Sequence, residues 1–154
     1  MIDTLAVQRA SAIPCDEDLL EPIGRVVWAA IRLQHTVRDL IGAIEGELSQ
    51  RPFEPTLGGA ISNLRKLAST LDPEIRQPIE EWCAGTGTTA KNARDSVLHA
   101  VAFTAPDGKQ AISRHGRHGS GRFTADEINM IAGTLELAAG KLYEASSGVK
   151  RPWN

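Results

Sequence analysis

From Ile23 to Ile44, apolar side chains return every three or four residues: Ile23, Val26, Val27, Ala30, Leu33, Val37, Leu40, Ile41 and Ile44. That spacing places them on one side of an α-helix. A helix of this length must cover its apolar stripe with other elements, so the segment predicts a layered helical fold. Its start is marked by Asp16, Glu17, Asp18 and Glu21, acids that suit the positive end of the helix dipole, and by Pro22 in the first turn. Its end near Leu48 runs into Pro52 and Pro55, each of which disfavours helix in the residue before it.

Three more periodic segments follow. Thr56 can cap a second, shorter helix with the stripe Leu57, Ala60, Ile61, Leu64, Leu67 and Leu71. Asp72-Pro73-Glu74 reads as another start: cap, proline, then acid. It opens a third helix carrying Ile75, Ile79, Trp82, Thr86, Ala90, Ala93, Val97 and Ala100. Gly85 and Gly87 each cost about 1 kcal/mol relative to alanine there, and Pro78 can bend it. The period survives them and predicts one long, bent helix, with a break between Gly85 and Thr89 as the alternative. Pro106-Asp107-Gly108 is a turn whose flanks can pair as a hairpin. Residues 113–122 form a basic, glycine-rich loop. Thr124-Ala-Asp-Glu127 is a capping box, and Ile128, Ile131, Leu135, Ala138 and Leu142 follow it as the stripe of a fourth helix. The expected fold class is therefore all-α: an antiparallel four-helix bundle with a short β-hairpin and basic loop inserted before the last helix. Residues 1–15 read as a flexible arm, 16–146 as the bundle and 147–154 as a frayed tail.

Composition narrows the chemistry. A chain of 154 residues can bury a core without disulfides or metals. A net charge of −2 exerts no global pull on nucleic acid, so any anion site must be a local patch. Cys15 and Cys83 stand too far apart for a metal-ligand pair, and Cys83 falls where a small buried residue is expected. His115 and His118 have a ligand-like spacing but no companion donors. No metal and no cofactor is expected. The segment 85–89 looks like a phosphate loop but lacks its lysine and its preceding strand. His35 reads as a core or groove histidine, and Trp28 and Trp82 as core or interface residues. The first residues do not form a secretory signal, and no stretch is long enough to cross a bilayer. The expectation is a cytoplasmic protein with no membrane contact.

The candidate chemistry lies near the end of the third helix, in Arg94, Asp95 and His99. Asp95 and His99 are one turn apart on one face, so the acid can fix the orientation of the imidazole. Arg94 is five residues from His99 and so rotated by about 140° from it. Either its long stem swings round or a second subunit completes the site. Solvated charges and a polar helix end are the plainer account of the same residues. Arg114, His115, Arg117, His118 and Arg122 form a candidate phosphate-contacting strip, or else a solvated loop.

The arrangement Arg94-Asp95-x-x-x-His99, late in a bundle helix, resembles the signature of the HEPN family: arginine, a polar residue, then histidine. The architecture expected for residues 20 to 145 resembles that family too. The likeness implies a metal-independent endoribonuclease of toxin–antitoxin, phage-defence or RNA-processing type. It also implies a homodimer in which motif helices face each other. Carried over, His99 acts as general base or acid at the ribose 2′-hydroxyl or the leaving oxygen. Arg94 clamps the scissile phosphate, and Asp95 orients one or both. RNA is then the substrate and a cyclic phosphate the product. Ala100-Val101-Ala102-Phe103 departs from relatives that place glycine and tryptophan after the histidine. The same likeness allows a non-catalytic dimerisation module that binds a partner such as a nucleotidyltransferase-type antitoxin.

Overall fold

The computed structural model describes residues 16–46, 56–113 and 121–151. They form α1 (Glu17–Glu45), α2 (Leu57–Ala68), α3 (Pro73–Trp82), a π-helical turn (Cys83–Gly87), α4 (Thr88–Leu98), β1 (Val101–Thr104), β2 (Gln110–Ser113) and α5 (Ala125–Ala145). The backbone stays helical through Cys83, Gly87 and Thr88, so α3, the π turn and α4 are one rod. The described residues are mostly helical: four helical rods and one two-stranded antiparallel hairpin.

Local chemistry sets the boundaries. Asp16 caps α1 by accepting from the Asp18 amide at 3.1 Å. Gly46, at φ 74°, closes that helix in the left-handed region, two residues earlier than the proline-based expectation. Because the helix starts at Glu17, Pro22 falls in its second turn rather than the first. Thr56 caps α2 through the Gly59 amide, and the Thr124–Glu127 box opens α5 with both reciprocal bonds present. In the hairpin, Val101 pairs with Ser113 and Thr104 with Gln110. Gly108 takes φ 79°, and Asp107 Oδ1 accepts from the Lys109 amide at 3.0 Å.

The core is the meeting of the predicted stripes. Val26, Leu33, Val37 and Leu40 of α1 are fully buried with Leu57 and Leu64 of α2, Ile79 of α3, and Ile128, Leu135 and Leu142 of α5. Val27 was expected inward but is exposed, as are Leu20, Trp28 and Ile31. α1 thus carries a second apolar strip on its outer side.

The directions of the rods are fixed by contacts near their ends. Asp16, at the start of α1, lies 3.6 Å from Arg122, just before α5. Further along, Ala29 and Thr36 of α1 line one groove with Glu136 and Tyr143 of α5. α1 and α5 therefore run parallel. Gly148, beyond the end of α5, packs on Ile75 at the start of α3, while the Trp82 indole donates to the Ala138 carbonyl at 2.9 Å. The rod is thus antiparallel to α5. The uniformly antiparallel bundle expected from short connections is corrected on this point. The rod and α5, joined by the hairpin, do oppose each other. The departure lies earlier, because α2 starts with Gly58 against Lys91 of α4 and carries Arg65 toward Cys83, so it too opposes the rod and runs with α1.

The π turn answers the question that the glycines raised. Trp82 is buried at 4% exposure, and its ring lies over Gly87, where a Cβ would come within 2.6 Å of the ring. Gly87 is buried and Thr86 only partly so. The stripe has slipped by one residue because the π turn holds one more residue than an α turn. Thr88 Oγ1 donates to the Cys83 carbonyl at 2.8 Å, satisfying one acceptor of the widened turn.

The described residues after α5 pack back on the bundle. Ser146 is buried and accepts from Arg151 Nη2 at 3.0 Å. The Arg151 guanidinium stacks 4.5 Å above the Tyr143 ring. Val149 packs against the core.

Candidate functional site

The last two turns of α4 carry little apolar material, and only Ala90 and Val97 of that helix are buried. Its polar side chains collect around Asp95. Lys91 Nζ is 2.9 Å from Asp95 Oδ2, Arg94 Nε is 3.0 Å from Oδ1, and His99 Nε2 is 4.0 Å from that same Oδ1. Arg94 and His99 do not touch each other; the carboxylate between them brings them together. This partly resolves the 140° problem, because Arg94 needs to reach only its neighbour.

Burial alone would raise the pKa of Asp95. The hydrogen bond from Lys91 and the charges of Arg94, Lys91 and His99 together outweigh it and hold the carboxyl below its usual range. The Arg94–Asp95 contact is close but misaligned. Arg94 Nε and Asp95 Oδ1 are buried atoms, and neither makes a hydrogen bond. The side chain of Arg94 is 16% exposed and that of His99 is 70% exposed. His99 also ends α4, its amide bonded to the Asp95 carbonyl at 3.0 Å.

Lys91 is the member that the sequence reading missed. Its signal was present: lysine four residues before aspartate on a helix is an ion-pair spacing. Its stem crosses the first turn of α2, where a Cβ on Gly58 would lie 3.2 Å from Lys91 Cε.

Of the basic strip, Arg114, His115, Arg117 and His118 lie outside the described residues. Arg122 is described, and it faces two carboxylates. Its Nη1 is 2.8 Å from Asp107 and its Nη2 is 3.6 Å from Asp16. The hydrogen bond to Asp107 raises the arginine pKa and lowers that of the aspartate. Arg122 therefore ties the hairpin turn to the cap of α1. His35 is exposed beside Asp39 at 3.4 Å, which corrects its expected place in the core or a groove. Trp28 is 62% exposed, which leaves the interface half of its expectation, while Trp82 fills the core.

A groove of about 540 Å³ lies between α2 and the π turn, lined by Ser62, Arg65, Cys83, Thr88 and Lys91 among others. Burial pushes the Cys83 thiol up to about 11, against the pull of Arg65. Cys83 thus has the buried, inert character expected of it. Among the described residues, no group of three or more histidine, cysteine or acidic side chains is placed to hold a metal ion, and no helix is long and apolar enough to cross a membrane.

No family model, curated protein or solved structure matches the chain.

Proposed function

We propose that the protein is a metal-independent endoribonuclease of HEPN-like type, with Arg94, Asp95 and His99 as its working residues. The observation that carries the reading is the charge balance of the α4 cluster. One carboxylate gathers Lys91, Arg94 and the imidazole of His99. Two fixed cations and a proton-accepting ring around one acid leave the cluster short of negative charge. A phosphodiester supplies that charge, and the partly exposed guanidinium of Arg94 is the group that would meet it. His99, at the exposed end, is the group able to exchange a proton with a substrate.

In this reading the 2′-hydroxyl attacks the adjacent phosphorus. The bond from O2′ to phosphorus forms and the bond to the leaving 5′-oxygen breaks, giving a 2′,3′-cyclic phosphate. One imidazole takes the proton from O2′, and another gives a proton to the leaving oxygen. A homodimer supplies both from two copies of His99. Arg94 stabilises the extra charge on the phosphate oxygens, and Asp95 holds Arg94 and His99 in place.

The alternative is a non-catalytic module for a protein partner, such as a nucleotidyltransferase-type antitoxin. The exposed apolar strip Leu20, Val27, Trp28 and Ile31 favours that reading. The cytoplasmic assignment belongs to both readings.

The test is cleavage of a panel of structured and unstructured RNAs in EDTA. Wild type should leave cyclic-phosphate ends, with His99→Ala and Arg94→Ala slower by about 10²- to 10⁴-fold. Equal rates in all three proteins, or no cleavage by wild type across the panel, would overturn the enzymatic reading and favour the partner module.

A further inference from the structure

The groove between α2 and the π turn has a charge that the α4 cluster does not use. Arg65, on the exposed face of α2, makes no ion pair with a described residue. Lys91 stands at the other end of the groove and is shared with Asp95. No acidic residue is among those lining it. Because Lys91 is paired with Asp95, Arg65 is the groove's unpaired cation, and in a chain of net charge −2 it makes the concave surface a local positive spot.

The hydroxyls divide by role. Thr88 gives its hydroxyl proton to the Cys83 carbonyl, so it can only accept from a ligand. Ser62 makes no hydrogen bond to a described residue and lies one turn before Arg65 on the same face. It is a free donor beside a free guanidinium. The floor is kept low by glycine and by the π turn. Gly58 lets the Lys91 stem cross α2 closely, and the neutral, buried Cys83 forms the base. π turns inside helices recur at functional sites.

We propose that this groove binds a phosphate group, held by the Arg65 guanidinium and the Ser62 hydroxyl, with the Lys91 ammonium at its far end. The site shares Lys91 with the Asp95 cluster, but its phosphate sits at Arg65 rather than at Arg94, and it does not depend on cleavage. Its phosphate comes either from the backbone of a single-stranded RNA or from a small pyrophosphate-bearing ligand.

Two probes separate the sources: inorganic pyrophosphate, and a single-stranded RNA whose 2′-positions are methylated so that it cannot be cut. Binding is read by amide chemical shifts for the first and by anisotropy against salt for the second. Arg65→Ala changes an exposed side chain, so the fold should survive; Ser62→Ala is the milder companion. The expected result is at least a tenfold loss of affinity for one probe in Arg65→Ala, with a smaller loss in Ser62→Ala. Loss on the RNA, with the salt slope reduced by about one, assigns the site to RNA. Loss on pyrophosphate alone assigns it to a small ligand. Unchanged affinity of both probes in Arg65→Ala, or no binding of either probe by wild type, would overturn the proposal. These outcomes are read without cleavage, so the site can fail while the ribonuclease stands, and the reverse.

Discussion

The two halves of the long rod are held in place by different forces. The first half, α3 with the π turn, is set by packing: Ile79, Trp82 and Cys83 are buried, and the indole is bonded to the backbone of α5. The second half, α4, buries only Ala90 and Val97, and its outer turns are organised by charge around Asp95. Apolar packing is specific in shape and insensitive to pH. A charge cluster is weaker, responds to pH and salt, and leaves groups available to a ligand. The rod thus joins a rigid anchor to a chemically open end.

The anchor should yield the largest effect. Trp82→Ala removes a buried indole and its hydrogen bond, and should cost about 3–5 kcal/mol in denaturant unfolding. Gly87→Ala should cost about 1–3 kcal/mol, because the new Cβ would meet the ring at 2.6 Å. Combined, the two should not add: without the ring, alanine at 87 is neutral or gains helix propensity. Additive costs would show that the ring does not dictate the glycine, and the π turn would need another cause.

This asymmetry also decided what could be read from the sequence. Buried stripes have a period, so Leu33, Leu57, Ile79 and Leu135 could be placed inward from spacing alone. Capping has fixed offsets, so Thr56 and Thr124 marked true helix starts, while the run of acids from Asp16 to Glu21 marked the neighbourhood of the first. The π turn could not be read this way, because one extra residue shifts the stripe without ending it. The parallel course of α1 and α5 was hidden as well, since it follows from the end at which α2 begins, against Lys91, which no periodicity records. In the α4 cluster, the spacing of Asp95 and His99 was visible. Lys91 was passed over because ion-pair spacings are common on solvated faces, and only the packing of its stem against Gly58 sets this one apart. Arg122 shows the converse. In sequence it belongs to a basic strip, and in space it faces Asp107 and Asp16.

The charged half should show a smaller, pH-dependent effect. Asp95 has its pKa lowered in the folded protein, so its contribution is complete above the ordinary carboxylate range and is lost as pH falls through the lower folded value. At pH 7, Asp95→Asn should be less stable than wild type by about 1 kcal/mol. That gap should begin to narrow as the pH drops below about 4, where the unfolded chain's carboxyl takes up its proton, and close once the folded carboxyl is protonated as well. Unfolding curves across the range test this. A gap that stays constant down to the acid limit would mean that the loss comes from shape rather than charge, and α4 would then resemble the anchor after all.

The smallest effect on stability, and the finest test of how the halves are joined, is Gly58→Ala. The added Cβ would approach Lys91 Cε at 3.2 Å, a contact that a flexible stem can relieve by moving a few tenths of an ångström. Better helix propensity offsets that cost, so net stability should change by less than about 0.5 kcal/mol. The displaced stem, however, carries the ammonium that sits 2.9 Å from Asp95. A carbon-detected titration of the Asp95 carboxyl should therefore show its pKa moving back toward the ordinary value. An unmoved titration would mean that the Lys91 stem has slack enough to keep its ammonium in place. α2 would then not help to set the charge at the open end of the rod.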